Sequence, residues 1–289
     1  MLFGAIEGGG TRFRCALGDA AGVLHETHEV ATSDPARTLA EVLEFFEGHS
    51  IEALGLACFG PLGLDPLLPN HGYMLATPKP GWAGCDLLGT LGSALGVPLA
   101  LDTDVNGAAL GEAWLGAGRG AGDVVYVTVG TGVGIGAMVN GKTLRGRMHS
   151  EAGHLRVRRL EGDGFEGVCP FHRDCLEGLI SGPALAARTG RDPQDLSDDD
   201  PVWEPVVAAL AEGLASVALM LAPQRMLLGG GVGLRAHLLQ PLRDGLAARL
   251  AGYLPEDCFG PMERWLVPAG LGRNAGLVGA LRLALNMGA

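Results

Sequence analysis

Within seven consecutive positions the chain carries Cys169, His172 and Cys175 at C-x2-H-x2-C spacing, and His154 precedes Cys169 with fourteen residues between them. Two thiolates and two imidazoles make a complete tetrahedral set for zinc. No position is left open for an activated water, so such a metal would be structural. The competing reading is two free thiols and a surface histidine. Glu151 lies three residues before His154, so one helical or turn conformation brings both to the same side. A second chemistry is offered by three glycine turns, Glu7-Gly8-Gly9-Gly10-Thr11-Arg12, Thr128-Val129-Gly130-Thr131-Gly132-Val133-Gly134 and Leu227-Leu228-Gly229-Gly230-Gly231-Val232-Gly233. Consecutive small residues let the backbone approach a ligand closely, and the hydroxyl and cation closing the first turn suit phosphate oxygens. One such turn alone is equally an ordinary tight hairpin. None ends in Gly-Lys-Ser/Thr or has dinucleotide spacing with a trailing acid, which disfavours P-loop and Rossmann sites.

A carboxylate that could accept a proton follows from Asp102-Thr103-Asp104-Val105-Asn106. Asp104 stands where an apolar strand gives way to a helical pattern, and a helix N-terminus would keep it ionised. The alternative is a plain N-cap. Asp102, on the other side of the strand end, is the second candidate.

The elements that must hold these groups are legible as alternating strand and helix patterns. Leu2 to Ile6, the first glycine turn, and Phe13 to Leu17 read as strand, turn, strand. A helix is expected from Asp34 and Pro35 through Phe46. Short strands are expected at Leu54 to Cys58 and Val97 to Leu101, separated by a long Gly- and Pro-rich loop around Asn70 to Gly84 whose length suggests a function. After the helix through Ala108 and Leu115, the Gly-rich run Gly116 to Gly120 marks a boundary. Val124 to Val129 and Val133 to Val139 then repeat the opening pattern, so the chain reads as two related halves. A helix near 203 to 222, a strand Arg225 to Leu228 and a closing helix from about Asn274 complete an α/β pattern. The expected division is residues 1–116, with the closing helix of about 274–289 packed back on them, and residues 117–273.

Among 289 residues, 47% are hydrophobic and 18% charged, with six Cys and a net charge of -11. Such a chain can bury one or two substantial cores and lies far from disordered compositions. The acidic balance leaves no basic stripe for phosphate-backbone neutralisation, so nucleic acid and anionic membrane are poor partners. The N-terminus lacks the charged and apolar regions of a leader, and the longest apolar stretch is interrupted by Glu212. A cytoplasmic protein is expected. Cys15, Cys58 and Cys85 stand singly and read as incidental or buried thiols.

Taken in order, IEGGGTR, CFGPLG, TPKPGW, DTDVNGAALGE, TVGTGVG, EAGHL, CPFHRDCLEGLISGPA and LLGGGVG resemble the ROK family of sugar kinases, most nearly its bacterial zinc-containing fructokinase branch. The resemblance spans nearly the whole chain. It implies an α/β, actin/Hsp70-like (ribonuclease H-like) two-domain fold, with ATP and a sugar in an interdomain cleft. It further implies ATP-dependent transfer to the 6-hydroxyl of a hexose, D-fructose first, with Asp104 as general base. By the same resemblance Gly8, Gly9, Gly10, Thr11 and Arg12, with Gly130, Thr131 and Gly132, would hold the phosphates, and Gly229, Gly230 and Gly231 would lie against the adenosine. Gly60, Pro61, Asn106, Glu151, His154 and Glu177 would contact the sugar, Asn106 either directly or through the chain around it. Glu177 reads equally as a first-turn helix Glu favoured by the dipole. Mg2+ would arrive with ATP, structural Zn2+ would sit on His154, Cys169, His172 and Cys175, and a homodimer is implied. Glu7 in place of the common Asp, and His172 in place of a Cys, both follow the fructokinase branch. Arg12 replaces the common Lys, keeping the charge on a planar fork. A kinase for glucose, mannose or an N-acetylhexosamine and a catalytically inactive sugar sensor remain as alternatives. The sugar-responsive repressors of the same family are disfavoured, since the first glycine turn begins within ten residues of Met1.

Overall fold

The computed structural model describes residues 1–287. The first half runs β1 (Leu2–Gly8), β2 (Arg12–Gly18), β3 (Leu24–Ala31), α1 (Pro35–Phe46), β4 (Ile51–Cys58), α2 (Leu87–Leu95), β5 (Leu99–Thr103) and α3 (Asp104–Leu115). The second begins with β6 (Val124–Val129), β7 (Val133–Val139) and β8 (Lys142–Thr143), followed by α4 (Leu176–Ile180), α5 (Gly182–Thr189) and α6 (Trp203–Leu221). It continues through β9 (Arg225–Gly229), α7 (Gly230–Gly233), α8 (Ala236–Leu250), α9 (Glu256–Phe259), α10 (Met262–Trp265) and β10 (Leu266–Pro268), and α11 (Ala275–Leu285) closes the chain.

The two expected halves are visible in the sheets. One is ordered β3-β2-β1-β4-β5 and the other β10-β9-β6-β7-β8, so each is built on its own first strand, with an antiparallel meander to one side and two parallel strands to the other. Antiparallel neighbours need only a tight turn, whereas the parallel ones need a crossover. The glycine turns therefore fall at the meander hairpins, and the helices at the crossovers. The edge strand β3 carries His25, Glu26, Thr27, His28 and Glu29 exposed in succession, and their charge discourages pairing with another chain.

Each half has a core of its own, around Leu54, Phe13 and Trp82 in one and around Val127, Leu214 and Leu242 in the other. α6 is long and apolar enough to cross a membrane by length and composition, but half of it is buried, with Leu210 and Leu214 in that second core. Helices α3 and α11 pack together between the sheets, α11 on β1 and β4 and α3 on β6 and β7. Their crossing is made by glycine and alanine. A Cβ placed on Gly279 would overlap the Gly107 carbonyl, and one on Gly111 would overlap that of Ala275. Glu112, fully buried on α3, accepts hydrogen bonds from Ala117 N (2.7 Å), Gly270 N (2.9 Å) and Leu271 N (2.7 Å), fixing the Gly-rich connection to the end of β10.

One boundary shift matters for chemistry. The strand expected at Val97 to Leu101 is instead Leu99–Thr103, because Pro98 offers no N–H to the ladder and contributes only its carbonyl, to Leu54 N. Asp102 thus lies inside β5, and Thr103 becomes the cap of α3, its hydroxyl accepting from Asn106 N at 3.1 Å. The N-cap reading of Asp104 is corrected: Asp104 is the first residue inside the helix. Of the closing helix expected over about 274–289, positions 288 and 289 lie outside the described residues.

Candidate active site

Asp104 stands at the C-terminal end of the parallel strands of the first sheet, where the helix after β5 begins. Its Oδ1 accepts from the Val105 N–H at 2.9 Å. Burial raises its pKa above the ordinary aspartate value, against the opposing pull of that N–H and of His149. The helix N-terminus favours the ionised carboxylate, and desolvation works against it. The charge of Asp104 in turn raises Glu7 and Glu151, so the three carboxyls share one field.

Glu7 closes the strand before the first glycine turn. Arg14 Nη1 reaches its carboxylate at 3.0 Å, yet burial dominates and lifts its pKa to about 7. Arg14 also donates to Asn274 Oδ1 at 2.8 Å, tying this corner to the start of α11. The turn is tight, Gly9 N donating to Arg12 O at 2.8 Å, and Gly10 has open space where a Cβ would be. Arg12 points along β3 to Glu29 at 3.1 Å, with its side chain 68% exposed at the rim of the turn.

The second turn is closed by Gly130 N donating to Gly132 O at 2.9 Å, and Gly182 N donates to Gly130 O at 2.7 Å. Because β6 and β9 are parallel neighbours, the third turn comes beside it. A Cβ on Gly130 would lie 3.8 Å from Gly231 N. Gly230 takes φ +80°, and a Cβ there would overlap Val129 O and lie 2.6 Å from Thr128 Oγ1, a position only glycine fills without strain. Gly229 packs on the Tyr126 ring.

Beside the first turn, the loop Phe59–Gly63 is held by Phe59 N donating to Gly8 O at 2.7 Å. The Gly60–Pro61 peptide is cis. The long loop beyond it is anchored through Trp82, which stacks on Phe13 at 5.2 Å between ring centroids and donates to Ser33 O. Gly60 faces the second half of the molecule: a Cβ there would lie 3.1 Å from His149 Cε1 and 3.3 Å from Glu151 Oε1. Glu151 is the N-cap residue of the single turn Ala152–His154, and His154 N donates to Glu151 O at 2.9 Å. The Glu151 pKa is raised first by burial, then by Asp104 and Glu177, with His154 opposing.

Two expected sugar contacts, Asn106 and Glu177, make hydrogen bonds within the protein. Asn106 is 2% exposed, with Nδ2 donating to Asp102 Oδ1 (2.9 Å) and Leu144 O and its Oδ1 accepting from Ala137 N (3.1 Å). These bonds hold the chain around the site, the second of its two anticipated roles. Glu177, in the first turn of α4, accepts from Val133 N at 3.1 Å and lies against Gly132, so its hydrogen bond fixes the second glycine turn. Asp102, the second candidate base, is fully buried and committed. Its Oδ2 accepts from Arg145 Nη2 (2.7 Å) and Nε (3.2 Å), and its Oδ1 from Thr103 N and Asn106.

The four expected metal ligands converge. His154 Nδ1, Cys169 Sγ, His172 Nδ1 and Cys175 Sγ all lie within 4.8 Å of one another. The His154–Cys175, His154–Cys169 and His172–Cys169 separations are 3.4, 3.7 and 3.7 Å. Ordinary zinc bond lengths place N and S about 3.6 Å apart on a tetrahedron, so the donor set and its size both suit that ion. Cys169 and Arg173 exchange backbone hydrogen bonds to form the knuckle, and Leu176 N donates to Leu155 O. The cluster thereby joins the turn carrying Glu151 to the helix carrying Glu177.

Arg14, Arg145 and His149 escaped the sequence reading. An arginine or histidine outside a motif gives no signal of its own. Only the position of His149, two residues before Glu151, could have drawn attention to it.

A family model described as ROK family matches residues 3–287. A fructokinase of Pediococcus pentosaceus is 42% identical over 284 residues, covering 98% of each chain. Among solved structures, the ROK hexokinase of Thermus thermophilus superposes with TM-score 0.78 at 30% identity, covering 99% of this chain and 98% of that one. A ROK glucokinase of Streptomyces griseus, in complex with glucose and AMPPNP, gives 0.73 at 27% identity, covering 99% and 100%. With glycine turns at the ends of β1 and β6, a half-buried aspartate at the start of α3, a glycine loop facing a glutamate, and this likeness along its whole length, the chain belongs to the ROK family of sugar kinases.

Proposed function

We propose that this protein transfers the γ-phosphoryl group of ATP to the 6-hydroxyl of a free hexose, D-fructose before others. The observation that carries the reading is Asp104, a half-buried carboxyl with a raised pKa that shares its electrostatic field with Glu7 beside the first glycine turn and with Glu151 facing Gly60. Phosphoryl transfer asks for positioning, charge stabilisation and one group to take the hydroxyl proton. A carboxylate made more basic by burial suits that last role. Backbone N–H groups of the turns at Gly8–Thr11 and Gly130–Gly132 would hold the phosphates, with Gly229–Gly231 against the adenosine, and Mg2+ would be carried in with ATP. Glu151 and His154 would bind sugar hydroxyls across the cleft from Gly60 and Pro61. His154, Cys169, His172 and Cys175 would hold a structural zinc, which supplies rigidity and no reaction step.

Fructose is favoured over glucose because the fructokinase relative is 42% identical, against 27% for the glucokinase. Specificity constants for fructose, glucose, mannose and N-acetylmannosamine with ATP and Mg2+ test the choice. Fructose should rank first. Equal or greater values for glucose or N-acetylmannosamine would remove fructose as the preferred acceptor while leaving a hexose kinase. No ATP-dependent phosphorylation of any of them would remove the kinase reading and favour a sugar-binding protein.

A further inference from the structure

Between β8 and the Glu151 turn, residues Arg145 to His149 form a small hairpin. Arg145 and His149 pair as an antiparallel bridge, and Gly146 N donates to Met148 O. Although this hairpin belongs to the second half of the chain, both of its ends are fastened to the first. At one end the Arg145 guanidinium spans the fully buried Asp102 carboxylate and the Leu101 carbonyl (3.1 Å), two residues before Asp104. At the other, the His149 ring is buried at the Gly60–Leu62 loop, where the Leu62 N–H donates to its Nε2 at 2.9 Å. Nε2 is therefore the bare nitrogen. Nδ1 faces Ser150 O at 3.1 Å and Glu151 Oε1 at 3.4 Å, which assigns the ring proton to Nδ1. One imidazole thus touches the loop on one wall of the cleft and the carboxylate on the other, and a paired hairpin end fixes the distance between them.

We infer that the Arg145–His149 hairpin is a two-point clamp, in which His149 is a positioning residue that sets the separation of the Gly60–Leu62 loop from Glu151 and so the fit of the acceptor sugar. This rests on the kinase reading above. The clamp lies on the acceptor side of Asp104, with Arg145 on Asp102 as its second anchor, so disturbing it should act on sugar binding and spare the nucleotide.

Steady-state kinetics with varied fructose and varied ATP, on proteins of equal zinc content and intact folding, decide the matter. His149→Ala leaves the Leu62 N–H without its partner, and the KM for sugar should rise roughly tenfold, the scale of one unpaired buried donor, with ATP KM changed less than about twofold. His149→Gln carries an acceptor oxygen close to where Nε2 lies and should recover most of that loss. His149→Asn is too short to reach Leu62, so it should behave as the alanine variant does and replaces it if the latter fails to fold. Arg145→Met should raise sugar KM in the same direction. Unchanged sugar KM in the alanine or asparagine variant, equal rises in both KM values, or no difference between Gln and Asn would each overturn the clamp in a working kinase. Absence of turnover in the parent protein with every hexose would instead overturn the kinase reading beneath it.

Discussion

At the scale of single residues, Asp104 carries the most discriminating expectation. Since Thr103 supplies the helix cap, Asp104→Asn removes no cap, and the substitution isolates the loss of a basic carboxylate. Turnover should fall by roughly 10²- to 10⁴-fold with little change in ATP affinity, as measured by steady-state rates and nucleotide titration. A folded, nucleotide-binding variant with near-normal turnover would eliminate Asp104 as the base. Asp102 could not then take its place without giving up Arg145. The pH profile adds an independent reading. Burial raises the Asp104 pKa, so the base is lost as pH falls through a value above the usual aspartate figure of about 3.9, and the acid limb of kcat/KM should lie above it. The same shift means that the folded protein binds this proton more tightly than the unfolded chain. Its unfavourable contribution to stability is therefore present at neutral pH and disappears as pH falls below the unfolded value. Asp104→Asn should be at least as stable as the parent at neutral pH, which thermal melts would check.

Among the elements, the His/Cys knuckle shows how a short segment without extensive regular structure can position chemistry. Residues 151 to 177 contain one helical turn, the knuckle and the start of α4, and the proposed zinc on the four ligands would hold these pieces together where apolar burial is thin. Binding of a structural metal is folding free energy. Removing it with a chelator should lower the melting temperature and weaken sugar binding together, because Glu151 is three residues from one ligand and Glu177 two from another. One equivalent of zinc per chain is expected by metal analysis after metal-replete expression. Cys169→Ser that keeps full zinc, or a parent protein holding under about half an equivalent, would count against this closed four-ligand site.

For the whole molecule, the decisive feature is the crossing of α3 and α11 between the sheets. Glycines at 111 and 279 let the backbones meet, Gly276 leaves room for Glu7, and the Gly107 carbonyl occupies the space that a side chain on Gly279 would need. Gly279→Ala forces the helices apart. Helix propensity favours alanine by about 1 kcal/mol, but overpacking costs about 1–3 kcal/mol and the obstacle is backbone, so overpacking should win. Denaturant unfolding should show a loss of stability. Since α3 begins at Asp104, the shift should also reduce turnover in the protein that remains folded. A variant more stable than the parent would show that the crossing has slack that the structure does not display.

Much of this protein was written locally. The strands around the first two glycine turns, the helix after Asp34 and the metal-ligand spacing depend on neighbours a few residues apart, where alternation, capping residues and ligand type are direct physical signals. The repeat of strand, glycine turn, strand is likewise a local signal, and each copy opens one of the two sheets. What the chain could not declare alone was set by contacts between distant segments. Pro98 moved a strand boundary by two residues because the ladder starts only where an N–H is available, and that made Thr103 the cap in place of Asp104. The raised pKa of Asp104 comes from burial in the folded molecule, which a helix-terminus argument does not contain. The commitments of Asn106 to Asp102 and Ala137, of Glu177 to Val133, and of His149 to Leu62 join residues 4, 31, 44 and 87 positions apart, and only the tertiary fold brings such groups within hydrogen-bonding distance.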